Sequence, residues 1–411
     1  MDHADVLILG GGLVGLSLAI ALERHGVTSI VVDAAEPSSQ IAPAFDGRAT
    51  AVSSTSWRML EAIGVGERLA GTGCPIRAIR VSDGLEPGAL TFDPSGGDPS
   101  VIDDPLGVMY ENRLLRQALQ QTAADAEGIT LIAPARVGEV VRDEAGVRAA
   151  LADGRLLSAA LLVGAEGRQS PTREAARIPV ARWRYDHAAI VTTVRHEHPH
   201  ENVAYEIFYS AGPFALLPML DDADRRPRSA LVWTVAQAHA AAFLDLPERA
   251  FAAEVEKRMG GFLGRVEIAG RRWTYPLGFH HAARITDRRL VLVGDAAHGI
   301  HPIAGQGLNL GFRDAAALAQ VLVEGARLGV DLGDAQLLAR YQRWRSVDTF
   351  SVAFATDSLT RIYGVPGRTA SAVRRFGMSL IDRIGPVKDR LMAEARGETG
   401  ELPLLLRGMV I

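Results

Sequence analysis

The stretch Val6-Leu-Ile-Leu-Gly10-Gly-Gly-Leu-Val-Gly15 decides the fold. Its four leading apolar residues make a continuous run of the kind carried by parallel strands buried on both faces. Gly10, Gly12 and Gly15 complete a G-x-G-x-x-G pattern. The first glycine permits a tight turn, the second lets backbone approach a pyrophosphate, and the third lets the next helix pack close to the strand. Leu13 to His25 carries apolar residues at helical spacing, and Gly26 is placed to cap its C-terminus. Ser29-Ile-Val-Val32 is the following strand, and Asp33 stands at its end. A carboxylate there can accept both ribose hydroxyl protons, at roughly 1.5–3 kcal/mol per charged hydrogen bond. The phosphates would rest on free N–H groups at the helix N-terminus, with Leu13 and Val14 beside them. Glycines alone would be a weak signal. The strand before, the helix after and the acid beyond make this a dinucleotide site, with NAD and FAD both still open.

The rest of the composition narrows the class. At 411 residues and 43.9 kDa, two or three structural units are expected. Hydrophobic content of 48% with 22% charged residues is that of a folded chain. A formal charge of -4 argues against nucleic acid as the main partner. Cys74 is the only cysteine, which excludes an intrachain disulfide and a cysteine-built metal site and fits a reducing cytosol. Val6 to Leu22 lacks charge, yet Asp2 and Asp5 precede it and three adjacent glycines interrupt it, so it is neither a signal nor a spanning helix. No other segment reaches the ~18 uninterrupted apolar residues of a membrane span.

Along the chain, residues 70–105 are rich in Gly, Pro and Asp, with short strand-like pieces such as Ala78 to Val81. Asn112 to Ala124 reads as helix and Leu161 to Val163 as a buried strand. From Tyr185 to Trp273 the pattern changes to longer β-branched and aromatic strands, among them Ala188 to Val194, Ala204 to Tyr209 and Ala230 to Val235. Arg289 to Val293 returns to the buried parallel type, and the chain from Gln306 is mostly helical. The expected class is α/β: a Rossmann-like domain from 1–75, 105–184 and 274–340, an antiparallel-sheet domain from 76–104 and 185–273, and C-terminal helices over 341–411.

A second glycine site settles the cofactor. Val291-Leu-Val-Gly294-Asp295-Ala-Ala-His298 runs from a buried strand into a loop, followed by His301-Pro302-Ile-Ala-Gly305-Gln306-Gly307-Leu308-Asn309-Leu-Gly311 at the start of a helix. This suits an extended cofactor lying across the sheet, with Asp295 bonding a ribityl hydroxyl. N–H groups near Gly305 to Leu308 would face the flavin N1–C2=O edge, where reduced flavin concentrates negative charge.

At these residues the chain resembles the FAD-dependent aromatic hydroxylases of the p-hydroxybenzoate hydroxylase type, and among them the ubiquinone-biosynthesis hydroxylases, which act on polyprenylated phenols. The likeness spans nearly the whole chain: Gly10 to Gly15, Asp46-Gly-Arg48, Tyr110-Glu-Asn-Arg113, Gly164-Ala-Glu-Gly167, Gly294 to Asp314 and the tail Gly397 to Gly408. It implies FAD contacts from Arg48 (phosphate or ribose), Arg113 (adenosine side), Val137 (adenine) and Glu166. The family usually carries Asp where Glu166 stands, at a site that serves both FAD and the nicotinamide donor. The resemblance further implies that NAD(P)H reduces the flavin and that one oxygen atom of O2 reaches a phenol ring activated by its own hydroxyl. A second dinucleotide fingerprint for NAD(P)H is absent, as in members that bind it transiently. No catalytic acid or base is singled out.

Phe214, Leu216 and Pro218 are expected, by strand alternation, to wall the substrate on the flavin side of the second sheet. His196, His198 and His200 read as an exposed strand end rather than a metal site, and His298 and His301 as packing groups in the flavin loop. Residues 361–411 carry a net charge of +4 and an amphipathic pattern broken at Gly385-Pro386. Helices packed on the FAD domain account for it; a basic surface meeting anionic lipid or partner enzymes is the functional alternative. The expected place is the cytoplasm, with the inner membrane surface as a contact. Three functional readings stand: a hydroxylase consuming O2, either of polyprenylated phenols or in soluble aromatic catabolism; a same-fold reductase or dehydrogenase that uses no O2; and a non-catalytic flavin-bearing partner whose flavin NAD(P)H does not reduce.

Overall fold

The apolar run before the glycine loop becomes β1 (Asp2–Leu9). The computed structural model describes residues 2–42, 47–86, 90–94, 104–299, 306–346, 374, 381 and 384–411. β1 lies inside a parallel sheet, between β2 (Ser29–Val32) and the strand Leu156–Gly164. Ile129–Ile132 and Leu290–Leu292 extend the sheet on either side, also parallel. At the centre of the sheet Val6 to Leu9, Ile30 to Val32 and Leu290 to Leu292 are short apolar runs, buried on both faces, whereas the outer strand Ile129–Ile132 keeps Thr130 exposed. Between β1 and β2 runs α1 (Leu13–Glu23), buried at every position from Gly15 to Leu22. It has no polar face because it packs both on the sheet and against α4 (Gln306–Arg327). α1 ends two residues earlier than its apolar spacing suggests, and Gly26 takes the left-handed conformation just beyond (φ +79°).

β3 (Ala49–Ser53) belongs to a small three-stranded sheet with Gly107–Glu111 and Cys74–Ile76. Among the described residues the third sheet has nine strands. Its core order is β9 (Trp273–Ala282), β5 (Val180–His196), β8 (Arg228–Ala236), β7 (Gly212–Met219), β6 (Val203–Tyr209) and β4 (Ala78–Asp83). The expectation of an antiparallel sheet holds except that β4 pairs parallel to β6. β5 starts at Val180, eight residues before the expected strand, so the sheet runs through the anticipated boundaries at 184/185 and 273/274. Its charged early half, Val180 to Arg184, hides the strand pattern because that half is mostly exposed.

One face of this sheet is covered by α2 (Ala240–Asp245) and α3 (Glu248–Met259). Phe214, Leu216, Leu231, Trp233, Phe251 and Val255 share that core. The other face turns to β3: Ala204, Leu217, Met219 and Ala230 pack with Ala49 and Ala51. α5 (Gly385–Arg396) begins at the Gly385-Pro386 break, as the sequence suggests. The tail folds back on the first core, where Leu405 and Leu406 are buried. Among the described residues no helix is long and apolar enough to cross a membrane.

Candidate active site

The glycine loop is shaped by contacts that no side chain could share. Gly10 has φ +106°, and a Cβ there would lie 2.4 Å from the Ala165 carbonyl oxygen. A Cβ on Gly15 would lie 2.0 Å from the Gly10 carbonyl oxygen, so helix and loop touch directly. Gly12 differs: nothing lies within 4 Å of its Cβ position. Open space at the N-cap of α1, with no side chain capping the free N–H groups, is what an approaching pyrophosphate requires. Asp33 caps the loop from the next strand. Its carboxylate accepts from Gly11 N (2.6 Å) and Ala35 N (2.7 Å), so it holds the loop whatever it gives a ribose.

The second glycine site meets the first through Val14. Gly294 (φ +58°) and Gly311 both stand against its side chain; a Cβ on Gly311 would come 2.5 Å from Val14 Cγ2. Asp295 is exposed although residues 290–294 and 296–299 are buried. Its carboxylate has no hydrogen-bond partner among the described residues, while its carbonyl accepts from His280 Nε2 at 2.7 Å. A strand tip that presents one unfilled carboxylate beside two close-packed glycines fits an extended cofactor with ribityl hydroxyls. Gly307 adds open space at the start of α4.

Beneath this loop sits a polar hub that the sequence reading did not single out. Asp314, on α4 and fully buried, accepts from Gly294 N (2.8 Å), His298 Nε2 (2.6 Å) and Arg345 Nε (2.7 Å). Burial works to raise its pKa, but the charges of His298 and Arg345 and their hydrogen bonds overrule it and bring it down to about 2. Arg173, also fully buried, reaches Ala296 O at 2.8 Å and Arg168 O at 2.9 Å. Arg345 lies thirty-one residues beyond Asp314 with no motif around it, so only the fold reveals the pair. His280 is buried beside the same loop, and desolvation pushes its pKa down to about 4. His298 packs and hydrogen-bonds, as expected.

The other anticipated cofactor residues stand on separate elements. Arg48 is exposed, with its guanidinium 5.4 Å from the Tyr275 ring centroid. Arg113, in the first turn of the helix Asn112–Ala124, pairs with Glu111 at 3.2 Å. Val137 opens the strand Val137–Arg142 at the edge of the first sheet. Glu166 turns back on its own chain: it accepts from Ser170 Oγ at 2.7 Å, from Thr172 N at 3.2 Å and from the Thr172 hydroxyl. The extra methylene over Asp lets this carboxylate cap the turn that follows. Asn309 clamps α4 to β3, donating to Ala51 O and accepting from Ser53 N, both at 2.9 Å. Leu308 packs partly on the first core. Pro302, Gly305, Asp46, His301 and the side chain of Gln306 lie outside the described residues.

Two expectations are corrected. Phe214 and Leu216 do not face the flavin side; they lie in the core under α2 and α3, and Pro218 follows them by alternation. Both faces of β7 are apolar, so alternation separates the faces without saying which helix or sheet each meets. His196 and His200 are buried, not exposed: their polar edges are satisfied by Ser229 Oγ (3.0 Å) and Met219 O (2.9 Å). Among the described residues no histidine–carboxylate group is arranged to hold a metal. Cys74 is buried and burial pushes its thiol up to about 11, the opposite of an activated thiolate.

The family described as FAD binding domain matches residues 3–348. Ubiquinone hydroxylase UbiL of Rhodospirillum rubrum is 43% identical over 99% of this chain and 93% of its own length. The chain belongs to the family of FAD-dependent ubiquinone-biosynthesis hydroxylases. The 3-demethoxyubiquinol 3-hydroxylase of Escherichia coli is 31% identical, covering 96% of this chain and 98% of that one. Among solved structures, Pseudomonas aeruginosa PqsL in complex with 2-aminobenzoylacetate superposes with a TM-score of 0.75 at 25% identity, over 92% of this chain and all of that one. A p-nitrophenol 4-monooxygenase from Pseudomonas putida has a TM-score of 0.79 at 17% identity, over 98% of this chain and all of that one, which shows the shared fold. Members of this family are FAD-dependent aromatic monooxygenases, and FAD is the cofactor that the two glycine sites fit.

Proposed function

We propose that this chain hydroxylates the aromatic ring of a polyprenylated phenol in ubiquinone biosynthesis, using NAD(P)H and O2. The observation that carries the reading is the 43% identity to a ubiquinone hydroxylase across almost the entire length of both chains. Bound FAD supplies the redox chemistry, accepting reducing equivalents from NAD(P)H and passing them to O2. The chain supplies orientation and exclusion of water. Gly10, Gly12, Leu13, Val14 and Gly15 would hold the pyrophosphate, Asp33 and Arg113 the adenosine end, and Val137 the adenine. Arg48 would meet phosphate or ribose, Asp295 a ribityl oxygen, and Gly294, Pro302, Gly305, Gln306, Gly307, Leu308 and Asn309 the flavin ring system. Glu166, tied to Ser170 and Thr172, would position that turn rather than reach nicotinamide.

An FAD-binding unit (1–75, 105–184, 274–340), a substrate unit (76–104, 185–273) and a C-terminal region (341–411), with the third-sheet boundaries moved out to Val180 and Ala282, would give the ring a place between the first unit and the β3-facing side of the third sheet. Ala215 and Leu217 take the wall positions in place of Phe214 and Leu216. A polyprenyl tail resides in lipid, and α5 suits a lipid surface: Ile384, Val387 and Leu391 are exposed along one side of it. The expected setting is the cytoplasm, with peripheral contact at the inner membrane or with other enzymes of the pathway. The test compares short- and long-chain prenylphenols for NAD(P)H-coupled oxygen uptake. Each buried CH2-sized unit is worth roughly 0.8 kcal/mol, so KM should fall with chain length while kcat holds. If bare hydroxybenzoate is hydroxylated as efficiently, the substrate is a soluble aromatic acid. If NAD(P)H is oxidised without O2 uptake, the protein is a reductase.

A further inference from the structure

The β3-facing side of the third sheet carries a row of side chains that runs across six strands. Residues opposite one another in register share a face, as do alternate residues along a strand. The pairings line up Val81, Glu206, Ala215, Val232, Val191 and Trp273 in sequence from β4 to β9. On one side of this row Phe208, Pro213, Thr234 and Ala189 are buried; on the other, Ala204 and Ala230 are buried. Within the row, Val81, Glu206, Ala215 and Val232 keep partial exposure. The row is therefore the floor of an open, apolar trough. Its far end is marked by Gly47, packed on the Trp273 indole, and by Arg48 over Tyr275. Its flank rests on Ala49 and Ala51 of β3, the strand that Asn309 ties to the start of α4.

Glu206 is the one ionisable side chain on that floor, and its carboxylate has neither hydrogen bond nor ion pair among the described residues. A chain gains nothing in stability by placing an unpartnered carboxyl on an apolar sheet face. The cations that could compensate are engaged elsewhere. Arg374 is held at 3.1 Å by Asp83, on the same face of β4, and Arg48 lies at the other end of the row. Arg80 stands at an alternate position of β4 and so belongs to the opposite face.

We propose that Glu206 is the acid–base catalytic residue of ring hydroxylation, receiving the proton of the substrate's phenolic hydroxyl in this trough. The inference rests on the phenol reading above. The phenol O–H bond breaks and a carboxyl O–H bond forms, leaving a phenolate whose electron pair is delocalised onto the ring carbons ortho and para to oxygen. One of those carbons then bonds to one oxygen atom of O2 as the O–O bond breaks; the other oxygen leaves as water with the two electrons drawn from NAD(P)H, loss of the ring proton restores aromaticity, and the carboxyl returns its proton to solvent. Desolvation raises the Glu206 pKa to about 7. That makes it a far better base toward a phenol, whose own pKa is near 10, than an ordinary carboxylate. The raised value also fixes the sign: the group is neutral below about pH 7 and becomes a base above it.

The experiment uses FAD-loaded enzyme, NAD(P)H, O2 and 2-farnesylphenol, with hydroxylated product measured separately from NAD(P)H oxidation. Wild-type kcat for hydroxylation should climb through about pH 7 and level off. Glu206→Gln should lower it roughly 100-fold or more, abolish that inflection, and leave flavin content and flavin reduction unchanged. A fluorinated, more acidic 2-farnesylphenol should recover part of the lost rate in Glu206→Gln, which a merely structural role for Glu206 would not produce. Glu206→Leu, which suits the apolar floor, should keep FAD and be equally inactive. Hydroxylation by Glu206→Gln within threefold of wild type, or with the same pH inflection, overturns the proposal. A wild-type enzyme that hydroxylates no phenol would instead overturn the reading on which it rests.

Discussion

Replacing Asp314 by Asn probes what holds the cofactor loop in place. The change keeps the side chain's shape and one acceptor oxygen but removes the charge that faces Arg345, whose side chain is 1% exposed, and His298, at 3%. Breaking a buried pair from one side costs about 3–5 kcal/mol, because the remaining charge stays out of water without its counter-ion. The same substitution weakens the acceptor of Gly294 N, the first residue of the loop that carries Asp295. Equilibrium urea unfolding at pH 7 should therefore show the loss in the apoprotein, and FAD titration should show weaker binding. The pH dependence has a fixed sign. Asp314 is depressed to about 2 when folded, so its contribution is complete above the unfolded carboxylate range near 4 and is lost as pH falls through about 2. The gap between wild type and Asp314→Asn should thus narrow in acid. A loss below about 1 kcal/mol at pH 7, with unchanged FAD affinity, would refute the view that this hub positions the loop.

Gly15→Val should yield protein without FAD, since the first side-chain atom would lie 2.0 Å from the Gly10 carbonyl oxygen and must wedge α1 from the loop; the ratio of flavin absorbance to protein in the purified sample reads this directly. Asp295→Ala should weaken FAD binding yet leave apoprotein unfolding unchanged, because the carboxylate is exposed and has no protein partner among the described residues. Equal loss of both, or loss of neither, would separate Asp295 from the cofactor.

The parts of the fold that were legible in the sequence share one physical property: burial on all sides. Val6 to Leu9, Ser29 to Val32 and Leu161 to Val163 are short apolar runs because they lie inside a covered parallel sheet, and each forms a strand there. Asn112–Ala124 forms the expected helix residue for residue. The glycines were legible because forbidden contacts, not preferences, fix them. What was hidden depended on which of two apolar faces meets which neighbour. β7 offers Phe214 and Leu216 to the helices and Ala215 and Leu217 to the β3 side, and nothing in Gly-Pro-Phe-Ala-Leu-Leu-Pro-Met distinguishes them. Glu206 was hidden for the same reason. In Tyr205-Glu-Ile-Phe-Tyr209 it looks like the polar, solvent-facing member of an alternating strand. Ile207 enters the α2–α3 core, however, and on the other side Glu206 keeps only partial exposure between buried Ala204 and Phe208. A lone charge in the middle of a half-covered apolar face is therefore the feature to look for: its position follows from the sequence, but its meaning requires what packs on each face to be known.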